Sequence, residues 1–490
     1  MHLSNLIEPS DGFSVSGAHD PAVSGISADS RQIKSGYIFV AIKGTSQNGA
    51  DFIADATCRG ASAVVIEQDM PHDPVPDHVA LIQTLNTRHA LSVLASRFYP
   101  DQPKTIAAVT GTSGKTSTVQ FTRSLWKTAG YKAASLGTLG LITDEGTTYG
   151  NLTTPDSVAL HKIMHDLAHE GVTHLAMEAS SQGIAMRRLD SARVDLAAFT
   201  NLSRDHLDYH QTMEHYFAAK LRLFTSILKQ GGWAVLNADA PEFDDLNAIV
   251  LARGCKVLSY GMQGREIRLL SHAPCPHGQT MRFELLGQIY DIMLPLAGSF
   301  QVSNSLCALG LAVAGGCDPS SMAHGLERLE GVAGRLELIG RTPKGASIFV
   351  DYAHKPSALE HVLKAMRGHL GEGARLYVVF GCGGNRDRGK RPLMGAIAQQ
   401  YADRVIVTDD NPRHEDAAAI RKEILDGFQQ GAAPVEIADR AQAIETAIKE
   451  LAAGDVLVVA GKGHEEGQII GHDVLPFHDG KEIKKVLERL

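Results

Sequence analysis

The sequence predicts an α/β protein of three domains. A small N-terminal α/β domain precedes a central P-loop-type, mainly parallel sheet with helices on both faces, and a Rossmann-like α/β domain ends the chain. Three observations predict this. Short β-branched apolar runs alternate with helical patterns through the central and last thirds. Those runs end in clusters of polar residues. One of them, Thr105-Ile106-Ala107-Ala108-Val109-Thr110, leads straight into Gly111-Thr112-Ser113-Gly114-Lys115-Thr116-Ser117 and then a helical pattern. A length of 490 residues suits about three domains. Expected boundaries are 1–100, 101–332 and 333–490, set by Pro71, Pro74, Pro76 and Pro103 and by Gly331-Val332-Ala333-Gly334.

In the first domain, Tyr37-Ile38-Phe39-Val40-Ala41-Ile42 and Ala63-Val64-Val65-Ile66 read as strands. In the second, the strand before the glycine loop is joined by three more. His174–Met177 leads to Glu178, Leu196–Phe199 leads to Asn201 and His206, and Trp233–Leu236 leads to Asn237. Ligands of parallel sheets gather outside the carboxyl ends of the strands, so Glu178, Asn201 and His206 are expected beside the loop. Residues 257–297 hold shorter, more alternating segments and are expected to form an antiparallel appendage. In the last third, strands at 347–350, 376–380, 405–407 and 456–460 lead into four polar segments. These are Asp351–His354, Gly381–Arg386, Asp409–Arg413 and Gly461–Glu465, and the same rule gathers them on one rim.

Composition narrows the function. The chain is 44% hydrophobic and 21% charged, enough for ordinary cores. A net charge of −8 with no basic stripe argues against a nucleic-acid partner. The six cysteines form no Cys-x-x-Cys pair, which excludes a zinc ribbon and a disulfide framework. No apolar run is long enough to span a membrane, and the first residues carry no basic run, so a cytoplasmic protein is expected.

The glycine loop has the layout of a phosphate cradle. Backbone N–H groups at a helix N-terminus face an anion, Lys115 adds a full charge, and the Thr116 hydroxyl suits a nucleotide-bound Mg²⁺. The long form of the pattern places a glycine where this chain has Val109, so only the shorter Gly-x-x-Gly-Lys-Thr fits. The run from Asn201 to His210, followed by Lys220, is dense in metal-competent groups. His206 and His210 have helical spacing, but no His-Glu-x-x-His or cysteine supports zinc. Beside a nucleotide loop, Mg²⁺ is the expected ion and Glu178 its first oxygen ligand.

The glycine loop, Met177-Glu178-Ala179-Ser180-Ser181-Gln182-Gly183, the Asn201–His210 run with Lys220, Asp351–His354 and Gly461–Glu465 together resemble the Mur ligases of peptidoglycan synthesis. The resemblance runs from about Ser30 to Glu465 and is strongest to the branch that makes UDP-N-acetylmuramoyl-tripeptides. It implies ATP-dependent amide ligation through an acyl phosphate, with Mg²⁺ as cofactor and small molecules as partners, by a monomeric soluble enzyme. It assigns ATP to Gly111–Ser117, Asn304, Arg335 and Asp351, and catalysis to Lys115, Glu178, His206 and Lys220. Metal would be held by Thr116, Glu178, His206 and Lys220 as N6-carboxylysine. Ser30, Thr153, Thr154, Ser180 and Arg188 would meet the UDP-sugar substrate, with Leu152 and Met186 departing from the usual neighbours. Arg386, Asp410, Asn411, Pro412, Arg413, Gly461 and Glu465 would meet the incoming amino acid. Arg413 points to meso-diaminopimelate, because a guanidinium pairs with the distal carboxylate that lysine lacks.

Other readings stay open at the level of sequence. They are a relative adding L-lysine or another amino acid, a folylpolyglutamate synthase-like ligase, and a P-loop switch protein. The last would want a guanine-reading Asn-Lys-x-Asp, which this sequence does not contain.

Overall fold

Strand Thr105–Thr110 is the pivot of the first half of the chain. It lies between His174–Glu178 and Val194–Phe199, both parallel to it. The computed structural model describes every residue except 18, 19, 45, 46, 151, 276, 277, 430 and 432. The chain divides into two compact units, Met1–Ile267 with Cys307–Met322, and Arg268–Leu306 with Ala323–Leu490.

The first unit holds two sheets. A five-stranded sheet runs in the order Ser14–Ser16, Ala80–Thr84, Ala63–Glu67, Tyr37–Val40, Gly25–Ser27. Only its first pair is antiparallel. Ala63-Val64-Val65-Ile66 is buried on both faces, which explains its unbroken apolar run. Val65 packs with Leu6, Ile38 and Leu94 on one side. Val64 packs with Phe39 and Ile53 on the other.

The larger sheet has its strands in the order Lys256–Gly261, Leu228–Asn237, Val194–Phe199, Thr105–Thr110, His174–Glu178, Ala133–Gly137. All these pairs are parallel. Two short antiparallel strands, Gly140–Ile142 and Thr147–Thr148, follow at the edge. Helix Ser157–His169 starts at Asp156, whose carboxylate accepts from the Ala159 N–H. Its Leu160, Met164 and Leu167 pack on Ile106, Leu175 and Met177 of the sheet. The expected appendage at 257–297 begins later than the sequence implied. Lys256–Gly261 is exposed only at its first residues, with Leu258–Gly261 all buried, and pairs parallel to Leu228–Asn237, so it belongs to the parallel sheet. The antiparallel character starts further on, with Gly278–Leu285 against Gln288–Leu294.

The second unit is built on a six-stranded sheet in the order Glu337–Arg341, Ser347–Asp351, Val456–Ala460, Leu376–Phe380, Arg404–Val407, Val435–Glu436. Its first pair is antiparallel and the rest are parallel. Separate apolar layers cover its two faces, one with Val378, Phe380 and Val458, the other with Tyr377, Val379 and Val459. Alternate residues of each strand supply each layer, as the period of two requires. A hairpin, Gly467–Ile470 with Asp473–Pro476, leaves the end of the sheet beside the 461–465 segment.

Candidate active site

Register decides which loops meet in the first unit. Phe199 lies opposite Thr110 and Glu178 opposite Val109, so three strand ends open at one level. Gly111, at φ +147°, is required there. A Cβ on it would fall 1.9 Å from Thr200 Oγ1. The loop is laced to the next strand end. Thr112 N–H donates to Asn201 O (2.9 Å), Ser113 N–H to Asn201 Oδ1 (3.0 Å) and the Thr200 hydroxyl to Ser113 O (2.7 Å). Gly114, at φ +85°, caps helix Lys115–Thr128, whose free N–H groups and dipole favour an anion at this end. Lys115 Nζ folds back and donates to Gly111 O (2.8 Å) and Thr112 O (2.9 Å).

Glu178 is buried, and its carboxylate is fixed from two sides. Oε1 accepts from the Thr116 hydroxyl (2.9 Å) and from Thr138 N–H (2.8 Å), and Oε2 from the Thr138 hydroxyl (3.2 Å). Gly137 makes room for it, since a Cβ there would lie 2.3 Å from Oε1. Lys220 is equally buried. Its Nζ donates to Gly111 O (2.8 Å) and sits 4.2 Å from the centre of the Tyr216 ring. Burial, together with the nearby Lys115 charge, holds the Lys220 amine well below its ordinary pKa. His206 takes a left-handed backbone, φ +52°, and its exposed ring lies 3.5 Å from Asp205. His210 is buried, with Nε2 2.9 Å from the Ser181 hydroxyl. The two histidine rings lie 6.2 Å and 5.1 Å from the Tyr216 ring, one exposed and the other engaged with Ser181.

The residues matched to the sugar substrate form a connected set. The Thr154 hydroxyl bonds Glu178 O (2.9 Å) and Ser180 Oγ (3.0 Å), and Arg188 donates to Thr154 O (2.7 Å). Thr153 Oγ1 lies 3.1 Å from the Thr138 hydroxyl, which links this set to Glu178. Arg188 also leans on Met186 Sδ, at 3.2 Å. Ser30 is in the five-stranded part of this unit, buried in the turn 30–32, where its hydroxyl helps hold the Asp55 carboxyl below the usual range.

In the second unit the strand-end segments also converge. The Asp351 carboxylate accepts from Leu336 N–H and Ala353 N–H, each at 2.7 Å. Burial pushes its pKa up to about 6 despite the Arg335 guanidinium. Arg335 stacks 4.9 Å from the Tyr352 ring, and His464 lies against that ring's surroundings at 5.3 Å. Asn304 donates to Gln301 Oε1 (2.9 Å), and Gln301 donates to Arg335 O (3.3 Å).

The other rim centres on Asn411. Its amide donates to Glu465 Oε2 (2.8 Å) and accepts from Ile469 N–H (2.9 Å). Lys462, fully buried, donates to Asn411 Oδ1 (3.0 Å), Glu465 Oε2 (3.1 Å) and Gly467 O (2.6 Å). Arg413 is held at φ +52° by its own N–H on Ile469 O (3.0 Å) and by Gly471 N–H on its carbonyl (2.7 Å). Its guanidinium donates to Gly384 O (2.9 Å). Gly384 packs so closely on Pro412 O that a Cβ would lie 1.9 Å away. Gly461, at φ +112°, would place a Cβ 2.7 Å from the Asp410 carboxylate. Arg386 is exposed and bonds only loosely to Asn385 O, at 3.3 Å.

Two contributors escaped the reading of the sequence. Lys462 sits between two matched residues, and its signal was a lysine in the strand-end segment Gly461–Glu465. Thr138 had no such signal, because its contact with Glu178 spans 40 residues.

Comparison with known proteins follows the same map. The Mur ligase family catalytic domain matches residues 22–99, the Mur ligase middle domain 109–312, and the Mur ligase glutamate ligase domain 334–463. The chain belongs to the Mur ligase family. Among the relatives of this Mur ligase is the UDP-N-acetylmuramoyl-L-alanyl-D-glutamate–2,6-diaminopimelate ligase of Chelativorans sp., 48% identical with 96% of both chains covered. The protein of that name from Rhizobium meliloti is 50% identical, with 95% of this chain and 94% of its own covered. A solved structure of a ligase of that name superposes with a TM-score of 0.71, at 33% identity and 95% coverage of each chain. Mycobacterium tuberculosis folylpolyglutamate synthase shares the fold at 19% identity and a TM-score of 0.60, covering 76% of this chain and 92% of its own. Family membership makes this chain an ATP-dependent ligase that forms peptide bonds.

Proposed function

We propose that this Mur ligase joins meso-diaminopimelate to UDP-N-acetylmuramoyl-L-alanyl-D-glutamate in cytoplasmic peptidoglycan precursor synthesis. The observation that carries the amino-acid assignment is the Asn411–Arg413 rim, with a guanidinium held on Gly384 O and a carboxylate, Glu465, held by Asn411 and Lys462. Arg413 offers two parallel donors to a distal carboxylate, and Glu465 offers an acceptor to an ammonium. Its relatives bear names that state the same substrate. No described helix is long and apolar enough to cross a membrane. The assigned partners are small molecules alone, and the working species is a monomer of three domains at 1–100, 101–332 and 333–490.

The chemistry follows from charge. The substrate carboxylate attacks the γ-phosphorus of ATP, a new C–O–P linkage forms and ADP leaves. The amine of the amino acid then attacks the acyl carbon, and phosphate leaves as the amide forms. Every reacting partner of the first step is anionic, so positive charge at the phosphoryl group lowers the barrier. The backbone of Gly111–Ser117 cradles the phosphates, and Lys115 moves from the loop carbonyls to the anion. Asn304 is assigned to the adenine, and Arg335 and Asp351 to the rest of the nucleotide. Ser30 is assigned to the uridine end of the sugar substrate, and Thr153, Thr154, Ser180 and Arg188 to its sugar-peptide end. Arg386, Asp410, Pro412 and Gly461 complete the amino-acid pocket.

The donors at Glu178 suit Mg²⁺, since a buried carboxylate and the Thr116 hydroxyl are hard oxygen ligands. Thr116, Glu178, His206 and Lys220 as N6-carboxylysine would hold the ions, which supply positive charge to the transferring phosphoryl group when bound. Lys220 fits that modification. Burial and the Lys115 charge disfavour its protonated form, and it is the neutral amine that adds to CO₂, forming an N–C bond and releasing one proton to water. The product is an anion beside the Lys115 ammonium, an attraction where a protonated Lys220 would meet repulsion.

The test is phosphate release from ATP with the UDP-sugar dipeptide and each amino acid in turn. Rapid release is expected with meso-diaminopimelate. Equal release with L-lysine would overturn the assignment, and release from GTP without an acceptor would favour a nucleotide switch.

A further inference from the structure

A second cluster of metal-competent groups lies away from the phosphate loop, where residues 100–104 connect helix Thr87–Phe98 to strand Thr105–Thr110. Asp101 is in this connection. His165 and His169 stand one turn apart on helix Ser157–His169, so their side chains share a helix face, with ring centres 4.4 Å apart. Asp101 Oδ2 is 3.3 Å from His165 Nδ1 and 3.0 Å from His169 Nε2. All three ligand atoms lie within 4.8 Å of one another.

The Asp101 distances, that to His169 Nε2 an ordinary hydrogen bond, are also compatible with the edge of about 3.3 Å of a tetrahedron with bonds of about 2.0 Å. One feature distinguishes this cluster from an ordinary surface ion pair: His165 Nδ1 is shielded from water yet completes no hydrogen bond, although Asp101 is in reach. A buried ring nitrogen in that position lacks a partner that a cation on its lone pair would supply.

We propose that Asp101, His165 and His169 form a binding site for a divalent transition-metal ion of the Zn²⁺, Co²⁺ and Ni²⁺ class. Two imidazoles and one carboxylate select such ions over Mg²⁺, which prefers oxygen ligands alone. The exposed His169 side chain, at the helix end and already on Asp101, closes the set around the ion. Binding fastens the 100–104 connection to the helix and so stabilises the folded unit by mass action.

The experiment titrates the metal-free full chain with Co²⁺ and follows visible absorption, with Zn²⁺ as competitor. One Co²⁺ per chain with ligand-field bands is expected, displaced by Zn²⁺ but not by excess Mg²⁺. His169→Ala and Asp101→Asn, both at exposed positions, should each weaken binding at least about tenfold. Circular dichroism and ligase turnover should stay at wild-type values in both variants. Unchanged Co²⁺ spectra and affinity in the two variants would overturn the site, as would absence of saturable binding to the wild type.

Discussion

The phosphate-loop rim and the Asn411 rim are built alike and behave differently. Both sit at the carboxyl ends of parallel strands. At the first, the amines of Lys115 and Lys220 both donate to the carbonyl of Gly111, and burial, with the Lys115 charge beside it, depresses the Lys220 pKa. At the second, Lys462 is already satisfied by a carboxylate, an amide and a carbonyl, and Arg413 is fixed through its backbone. The difference teaches where binding energy goes. On the proposed function, the first rim would rearrange to take a multiply charged anion, whereas the second would meet its ligand preorganised and read it by shape and sign.

The largest effect tests the first rim. Lys220→Ala should lower kcat by about 10³-fold, the scale of a lost electrostatic contributor at a phosphoryl centre. A small added carboxylate should restore part of it. Wild-type turnover in this variant would remove Lys220 from the chemistry. Next, Arg413→Ala should raise the KM for diaminopimelate by about 100-fold, the worth of a charge-assisted bidentate pair, and leave the KM for ATP nearly unchanged. Equal rises in both constants would mean that the two rims are not distinct.

Lys462→Met asks whether the second rim is preorganised. It leaves Glu465 and Asn411 without their shared donor, and should cost about 1–3 kcal/mol in urea unfolding while raising the amino-acid KM. Loss of stability with an unchanged KM would make Lys462 a purely structural residue. A further effect concerns a group outside both rims. Burial pushes the His161 pKa down from 6.5 to about 4. Between those values the unfolded chain binds a proton there that the folded chain does not, so stability present above pH 6.5 is lost on acidification, up to about 3 kcal/mol. His161→Leu should flatten that fall in chemical-denaturation midpoints. A variant as acid-labile as the wild type would assign the loss to His174, His354 or His464, whose pKa values are likewise near 4.

Much of this was legible in the sequence because strand ends concentrate polar residues. Glu178, Asn201 and the glycine loop meet because Val109, Phe199 and Glu178 share a level of the sheet, and the alternation of apolar runs with helices exposed that topology. What was not legible depended on register or on close approach. Lys256–Gly261 is short and partly exposed, so its pattern did not separate a parallel edge from an antiparallel arm. Thr138 reaches Glu178 only because Gly137 leaves room, a fact of three dimensions. His206 and His210 share helical spacing, yet His206 is the left-handed residue before helix Leu207–His210, with its ring exposed while that of His210 is buried on Ser181.

The bond between the Arg413 backbone and the hairpin at 467–476 bears on how selectivity can change. The arginine's left-handed turn is clamped by Ile469 and Gly471, which lie more than fifty residues downstream in sequence. An engineer who swaps the Asp410–Arg413 segment alone inherits a loop without its mould. Altering which amino acid is accepted calls for exchanging the hairpin and the loop as one cassette.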